Sequence, residues 1–297
     1  MSSSPAELRP LTPGDAGAVA ELMRELEADL ALRVATADDD VRDWWLPVEL
    51  PSDSWAVVSE GRVDAAGWIF VRDGAAWQHG LVRPSERGRG HGNRLLGLAE
   101  QRLQELGLSA LEATAFGADR AAEQLFLGRG YVATRRYLEL ELELTAAPTT
   151  AVPSGVRIEP FRAEDARVFH ATIDAAFAEN WDFVSTPFEQ WYELRVVNGD
   201  MSFSFVAWDG ERVAGAIRCD PERRGLGWIA ALGVLPEWRG RGVGRALLVR
   251  AFRAFWDAGR PRIGLGVAGD NVRALGLYES LGMRAEAEDV VYRKSLA

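Results

Sequence analysis

The chain has 297 residues, of which 47% are hydrophobic and 26% are charged, and its formal net charge is −10. This composition is typical of a globular protein, and no apolar run approaches the ~20 residues that a membrane-spanning helix needs. The negative charge disfavours nucleic acid and anionic membranes, so we expect neither as a partner. Cys219 is the only cysteine. A single cysteine fits a reducing cytoplasm, and with three scattered histidines it predicts no metal site.

The first half begins with a predicted amphipathic helix, roughly residues 15–27, and continues with short strands such as residues 55–58. An apolar strand then ends at Pro84, and a loop rich in glycine and arginine leads from it into a second helix. The run 137–144 alternates apolar and acidic residues, which predicts a strand with one wet face that closes the sheet of this half. The loop reads Arg87-Gly88-Arg89-Gly90-His91-Gly92.

The second half repeats this order. A helix (roughly residues 165–177), short strands such as residues 203–207 and an apolar strand ending at Pro236 precede a second loop, and another strand is predicted at residues 262–267. The helix that follows the loop has apolar residues at helical spacing, which predicts one buried face. These residues are Leu247, Leu248, Ala251, Phe252 and Phe255. The second loop reads Arg239-Gly240-Arg241-Gly242-Val243-Gly244.

One constant offset relates the two loops and the residues downstream of them, for example Asp119 to Asn271, which indicates an internal duplication. Small residues and prolines at 146–155 predict a linker. We therefore expect two tandem domains, residues 1–145 and residues 156–297. Mixed strands and helices in each half predict a layered α/β (α+β) fold.

Each loop carries the chain from a strand to a helix N-terminus, where free backbone N–H groups and the helix dipole favour an anion. Glycine lets the backbone close on a phosphate, and arginine donors match phosphate oxygens. The loops lack the Lys-Ser/Thr pair of a P-loop and the third glycine of the dinucleotide fingerprint. In the second half the relevant residues are Gly240, Gly242, Gly244, Arg239, Arg241 and Arg245.

The pattern Arg-x-x-Gly-x-Gly, after a strand that ends Val-x-Pro, resembles the pyrophosphate-binding motif of GNAT acyltransferases. A second signature also matches, because the family has an Asn-x-x-Ala…Leu-Tyr-x-x-x-Gly-Phe stretch beside the bound thioester. The tandem layout is similar to that of mycothiol synthase-like acetyltransferases. The resemblance implies two GNAT-like domains, each with a mixed, mostly antiparallel sheet flanked by helices. The matching stretch reads Asn271-Val272-Arg273-Ala274-Leu275-Gly276-Leu277-Tyr278-Glu279-Ser280-Leu281-Gly282-Met283.

The resemblance also implies a co-substrate, acetyl-CoA, and site residues. The backbone of Leu232 and Val234 would pair with the pantetheine, on a strand that splays from its neighbour. Tyr278 stands at the position of the family's usual general acid, and a tyrosine with an ordinary pKa of about 10 is protonated at neutral pH. The other implied contacts to acyl-CoA are Arg239, Gly240, Arg241, Gly242, Val243, Gly244, Arg245 and Asn271, with Arg87, Gly88, Arg89, Gly90 and Gly92 in the first half.

The two halves differ at the residues that carry chemistry. Phe126 stands where the second half has Tyr278, and phenylalanine has no proton to donate. Asp119 replaces Asn271, and its charge could repel a pyrophosphate. We therefore expect the second half to be catalytic. The first half either binds acyl-CoA without turnover or serves as a structural partner.

The acceptor side is less defined by sequence. Residues 225–231 contain no carboxylate that could act as a general base on the strand leading to the thioester. The segment 176–191 places Glu179 and Asp182 among aromatic residues, a combination that suits a cationic amine. We therefore predict that these two carboxylates line the acceptor pocket.

The sequence thus predicts an N-acetyltransferase that transfers an acetyl group from acetyl-CoA to a primary amine of a small molecule, by direct attack in a ternary complex. The alternatives are a non-catalytic sensor of acyl-CoA and an enzyme that acetylates protein N-termini or lysines. We expect a cytoplasmic monomer in which the duplicated domains pack as two subunits would.

Overall fold

In the computed structural model, the described residues are 6–33, 35–72, 75–180, 183 and 185–296. The chain divides into two compact units. The first comprises Met1–Leu138, Ala268–Asp270 and Glu286–Ala297, and the second comprises Glu139–Val267 and Asn271–Ala285. Both units combine strands and α-helices, so the predicted α/β class is confirmed.

The strands are, in chain order, β1 (Glu7–Arg9), β2 (Ser54–Ser59), β3 (Arg62–Arg72), β4 (Ala75–Val82), β5 (Ala110–Phe116), β6 (Val132–Glu143), β7 (Val156–Pro160), β8 (Phe205–Asp209), β9 (Arg212–Arg223), β10 (Leu226–Val234), β11 (Arg262–Ala268) and β12 (Arg284–Ser295). The α-helices are α1 (Ala16–Asp29), α2 (Asp38–Trp44), α3 (Leu50–Asp53), α4 (His91–Glu105), α5 (Arg120–Gly128), α6 (Ala166–Phe177), α7 (Phe188–Tyr192), α8 (Val243–Asp257) and α9 (Val272–Glu279). A π-helical turn, Glu193–Val197, follows α7.

The strand pairs of each unit are mostly antiparallel, as the family resemblance implies. In the first unit the strand order is β1-β2-β3-β4-β5-β12, and only the β4–β5 pair in this series is parallel. In the second unit the order is β6-β11-β10-β9-β8-β7, and β10–β11 is parallel while the β7–β8, β8–β9 and β9–β10 pairs are antiparallel. The two units therefore repeat one strand arrangement.

The units differ from the contiguous halves that the sequence suggests, because each takes a strand from elsewhere in the chain. In the first unit β5 pairs with β12, from Asp289↔Phe116 to Ser295↔Ala110. The second unit includes the end of β6 from Glu139 onward, and the N–H of Leu144 donates to the carbonyl of Pro261 at 2.8 Å. The alternating run 137–144 is thus a strand, as predicted, but most of it belongs to the second unit. An alternating pattern determines which face of a strand is wet but does not determine its neighbour.

In the second unit, helices cover both faces of the sheet. A Cβ atom on Gly233 would lie 2.8 Å from Cβ of Ala176 in α6, whereas a Cβ on Gly244 in α8 would lie 3.9 Å from Leu232. Successive strand residues point to opposite faces, so α6 and α8 lie on opposite sides of β10. The buried face of α8 predicted from its spacing is confirmed. Each of its larger apolar side chains contributes roughly 1.5–3 kcal/mol by burial.

None of the helices in the described ranges combines the length and the apolar character that crossing a lipid bilayer requires.

Candidate active site

β10 loses one of its two neighbouring strands in the middle of its length. Its pairing with β9 has a register shift between Ile229 and Ala231, so Ala230 forms a bulge. Its parallel pairing with β11 runs from Gly227↔Ile263 only as far as Ile229↔Leu265. Beyond that point, along stretches of β10 and β11 that the structure describes throughout, the two strands are not paired. One edge of β10 is thus open from Ala230 to Val234, the segment for which the sequence predicted backbone contacts at Leu232 and Val234.

The loop after β10 presents the free N-terminus of α8. Gly240 and Gly242 have φ angles of +74° and +84°, a left-handed backbone that other residues adopt only with strain. Gly242 is the N-cap of α8, and no side chain caps it. The first N–H groups of α8, beginning at Val243, therefore have no intrahelical partner and can donate to an anion.

The arginines of this loop have different partners. Arg239 donates from Nε to the carbonyl of Val234 and from a terminal nitrogen to Glu179, both at 3.0 Å. Arg245 donates to Oγ of Ser280 at 2.9 Å. Arg241 has no ion-pair partner within the described residues. Because Glu179 is exposed, its pair with Arg239 is solvent-screened, and an incoming phosphate can replace it.

Of the two predicted acceptor residues, only Glu179 lies within the described residues. Glu179 lies against the glycine-rich loop through Arg239. Asp182 falls outside the described residues. Their predicted role in the acceptor pocket stays a prediction.

The second sequence signature forms α9, which packs against the start of α8. Leu277 approaches the position of a Cβ on Gly244 to 3.4 Å. Asn271 is the N-cap of α9, and its side-chain oxygen accepts from the N–H of Ala274 at 3.1 Å. The structure therefore gives Asn271 a local capping role beside the loop.

Tyr278, on α9, is only 8% exposed. Burial raises the pKa of its hydroxyl to about 12, because the phenolate is poorly solvated there. Within the described part of the chain the hydroxyl makes no hydrogen bond. Tyr278 therefore keeps its proton at neutral pH and has it free to donate.

The loop of the first unit has the same backbone conformation, but its arginines have different partners. Gly88 and Gly90 have φ angles of +78° and +84°, close to those of their counterparts. Its arginines, however, are paired with carboxylates. Arg87 contacts Asp29 at 2.6 Å and Asp119 at 3.3 Å. Arg89 contacts Glu86 at 2.8 Å, so both of the predicted anion-binding arginines already have anionic partners.

The parallel pairing of β4 with β5 also ends early, at Gln78↔Ala113, as that of β10 with β11 does, but other features of the second-unit site differ in the first unit. The pairing of β3 with β4 runs from Ala65↔Val82 to Arg72↔Ala75 without a register shift, so β4 has no bulge there. A Cβ on Gly92 would lie 2.9 Å from Leu125, which shows how closely the following helix is packed. Phe126 is 6% exposed, and its ring stacks on Tyr292 with centroids 4.8 Å apart.

A charged pair on β9 was missed by the sequence analysis. Arg218 and Asp220 lie on one face of the strand, joined by a hydrogen bond of 2.5 Å. Arg218 is directly opposite Ala231, and Asp220 is opposite Trp228. Two charged residues at alternate positions, directly after the apolar run 213–217, were the available signal. In the part of the chain that the structure describes, no group of three His, Cys, Asp or Glu side chains is placed to hold a metal ion.

Comparison with known proteins gives a consistent result. The model of the acetyltransferase (GNAT) family matches twice, at residues 19–131 and 167–283. A mycothiol acetyltransferase of Kineococcus radiotolerans is 35% identical over 71% of this chain and 70% of its own length. A second, from Geodermatophilus obscurus, is 30% identical over 89% of this chain and 92% of its own.

A GNAT structure from Sphaerobacter thermophilus has the same fold throughout, with a TM-score of 0.86 and 24% identity, covering 98% of this chain and 95% of the other. The double family match agrees with the duplicated loops and with the repeated strand order of the two units. The chain therefore belongs to the acetyltransferase (GNAT) family, with two copies of the family domain in tandem, and is an N-acetyltransferase.

Proposed function

We propose that the second unit transfers an acetyl group from acetyl-CoA to the primary amine of a small molecule by direct attack. The observation that carries this proposal is the open edge of β10 beyond Ile229, next to the uncapped N-terminus of α8. The named relatives support a small-molecule acceptor, since they are mycothiol acetyltransferases.

The residues present fit a pyrophosphate and a pantetheine arm. A Cβ on Gly240 would meet no atom within 4 Å, so the loop leaves room beside its backbone. Arg241 has no carboxylate partner among the described residues, and Arg239 and Arg245 have exposed partners, so all three can turn to phosphate. The backbone groups of Leu232 and the N–H of Val234 lie on the open segment and can pair with the amides of the arm, whereas the carbonyl of Val234 accepts a hydrogen bond from Arg239. Acetyl-CoA supplies the acyl group as an activated thioester.

The chain itself supplies the proton for the leaving group. In this proposal the amine nitrogen forms a bond to the acyl carbon, the carbon–sulfur bond breaks, and Tyr278 gives its proton to the departing thiolate. The proton that the acylated nitrogen then loses passes to solvent, and solvent returns a proton to the tyrosine. Burial keeps the tyrosine protonated through the physiological range because it raises the pKa to about 12. A backbone N–H of the open segment near Leu232 stabilises the negative charge that develops on the acyl oxygen.

In this proposal the amine arrives uncharged. The strand that leads to the thioester has no carboxylate between Gly225 and Ala231, so the amine loses its proton to solvent or to a group on another element. The rate is therefore expected to rise with pH up to the pKa of the acceptor amine.

The first unit has a structural role in this proposal. Asp29, Glu86 and Asp119 neutralise its loop, and Phe126 replaces the acid. We therefore infer one acyl-CoA site per chain.

The test is to incubate the purified protein with acetyl-CoA and a panel of amines, and to follow free thiol and product mass. The stoichiometry of CoA binding is measured by calorimetry on the same sample. Amine-dependent thiol release with one CoA per chain supports the proposal. CoA binding without turnover on any amine would contradict the transferase reaction, and two sites of equal affinity would contradict the role given to the first unit.

A further inference from the structure

The α6 face of the second-unit sheet carries a largely buried cation, Arg218. Arg218 is directly opposite Ala231, which is two residues from Gly233 and so shares its face. Gly233 points at α6, because an added Cβ would meet Ala176. Arg218 therefore lies on the α6 face, on the side of the sheet away from α8.

This position is next to the proposed reaction centre. Ala231 belongs to the open segment of β10 that begins where the pairing with β11 ends. Ala231, the residue paired with Arg218 across the two strands, is thus part of the backbone that would face the thioester. A group bound to Arg218 and an amine at the thioester can then belong to one small molecule.

The cations on this face outnumber their carboxylate partners. Arg218 has an 85% buried side chain, since its exposed fraction is 15%, and its ion-pair partner is Asp220. Burial lowers the pKa of Arg218, Asp220 opposes this effect, and the charge of Arg195 lowers the pKa further. Trp191, one helical turn before Arg195, packs against the apolar cluster that contains Ala216 of β9, so the segment that carries Arg195 lies on the same face as Arg218.

Two further observations add to the excess of positive charge. Arg195 forms no ion pair within the described ranges, and it lies on the π-helical turn, where Asn198 N–H donates to the carbonyl of Glu193 at 3.0 Å. Arg223 lies over the ring of Trp228, 4.7 Å from its centroid, and forms no ion pair with any carboxylate that the structure describes. π-Helical turns are frequent at functional sites because they place side chains irregularly.

We propose that Arg218 and Arg195 bind an anionic group of the acceptor, so that the acceptor is a small amine carrying a carboxylate, such as an amino acid. The guanidinium fork matches a carboxylate through two parallel hydrogen bonds, and a partly desolvated site strengthens them. An anion there relieves the repulsion between the two arginines, which a second cation would increase. This inference rests on the proposed transfer to an amine.

The experiment compares acceptors that differ only in the anionic group. Serine is paired with ethanolamine, phenylalanine with phenethylamine, and O-phosphoethanolamine with ethanolamine, with acetyl-CoA as donor and thiol release as readout. We expect kcat/KM to be at least about tenfold higher for the anionic member of a pair, mainly through KM. A preference for serine identifies a carboxylate site, whereas a preference for O-phosphoethanolamine alone would overturn the assignment to carboxylate.

Three variants test the residues. Arg195→Gln, at an exposed position, and Arg218→Gln are expected to reduce the ratio between anionic and neutral acceptor about tenfold. Arg253→Gln is the control, because Arg253 lies on α8 and pairs with Asp257 there. Equal turnover of both members of every pair would overturn the inference. An equal loss for both members in Arg195→Gln would also overturn it.

A binding arm separates this inference from the proposed reaction. The melting temperature of the protein saturated with CoA is measured with each acceptor, in wild type and in Arg195→Gln. Stabilisation by serine or phenylalanine but not by its neutral partner, lost in the variant, supports the anion site even without turnover. Absence of such stabilisation together with turnover of neutral amines would leave the transferase intact and refute the anion site.

Discussion

Alanine at Gly242 and at Gly90 makes a matched pair of perturbations. Both glycines are the N-cap of the helix after their loop, with φ and ψ of 84° and 0° at Gly242 and of 84° and 2° at Gly90. A Cβ on Gly90 would meet nothing within 4 Å, and one on Gly242 would meet only Pro153 at 3.6 Å, an ordinary contact. The cost of each substitution is thus the left-handed backbone alone, roughly 1–2 kcal/mol of unfolding free energy.

The two variants are expected to separate in their binding of CoA. At Gly242 the added methyl group stands in the loop that would close on the pyrophosphate, and we expect at least about tenfold weaker binding, or about 1.4 kcal/mol. At Gly90 we expect no change in CoA affinity. Urea unfolding measures the shared cost, and calorimetric titration with CoA measures the difference. Equal affinity in the two variants, whether lowered or unchanged, would refute the assignment of the site to the second loop.

Two further predictions concern single side chains. Arg239→Gln should weaken CoA binding about tenfold, because it removes a charge-assisted donor, and Arg87→Gln should leave the binding unchanged; a reversed order in calorimetry would contradict the assignment. His79, stacked on Trp68, has its pKa lowered to about 4 by burial, so only the unfolded chain takes up this proton between pH 6.5 and 4. As the pH drops through that window, the unfolding free energy should therefore fall by about 3 kcal/mol more in wild type than in His79→Phe. Urea unfolding at several pH values measures this difference. The same pH dependence in the two proteins would show that His79 does not titrate this way.

Helices and the two strand–loop–helix turns could be predicted from sequence because their signals are local. The spacing of Leu247, Leu248 and Phe255 indicates which face of α8 is buried, and that face is buried in the structure. Glycines in a strand–loop–helix context predict a loop whose backbone is not covered by side chains, and in the structure Gly240 and Gly242 also have positive φ angles. A pattern that depends only on residues close together in the chain can be interpreted without knowledge of the fold.

The assignment of β12 to the first unit and of the end of β6 to the second could not be predicted from sequence, because strands pair with partners that are distant along the chain. For the same reason Arg218 and Asp220 were missed by the sequence analysis. Their position opposite Ala231 and Trp228 depends on the register of β9 with β10. Sequence comparison of the two halves did identify Phe126 and Asp119 as substitutions. It did not show that Asp119 pairs with Arg87, which is what neutralises the first loop.

The central claim is that the second unit alone performs the transfer, with Tyr278 as proton donor. The direct measurement is the rate of amine-dependent thiol release for wild type, Tyr278→Phe and Phe126→Tyr. Because the Tyr278 hydroxyl makes no hydrogen bond within the described residues, its removal should leave CoA affinity and stability nearly unchanged while the rate falls at least about 100-fold. Phe126→Tyr should keep the wild-type rate. A Tyr278→Phe variant with the full rate, or a rate that depends on the residue at position 126, would contradict the claim.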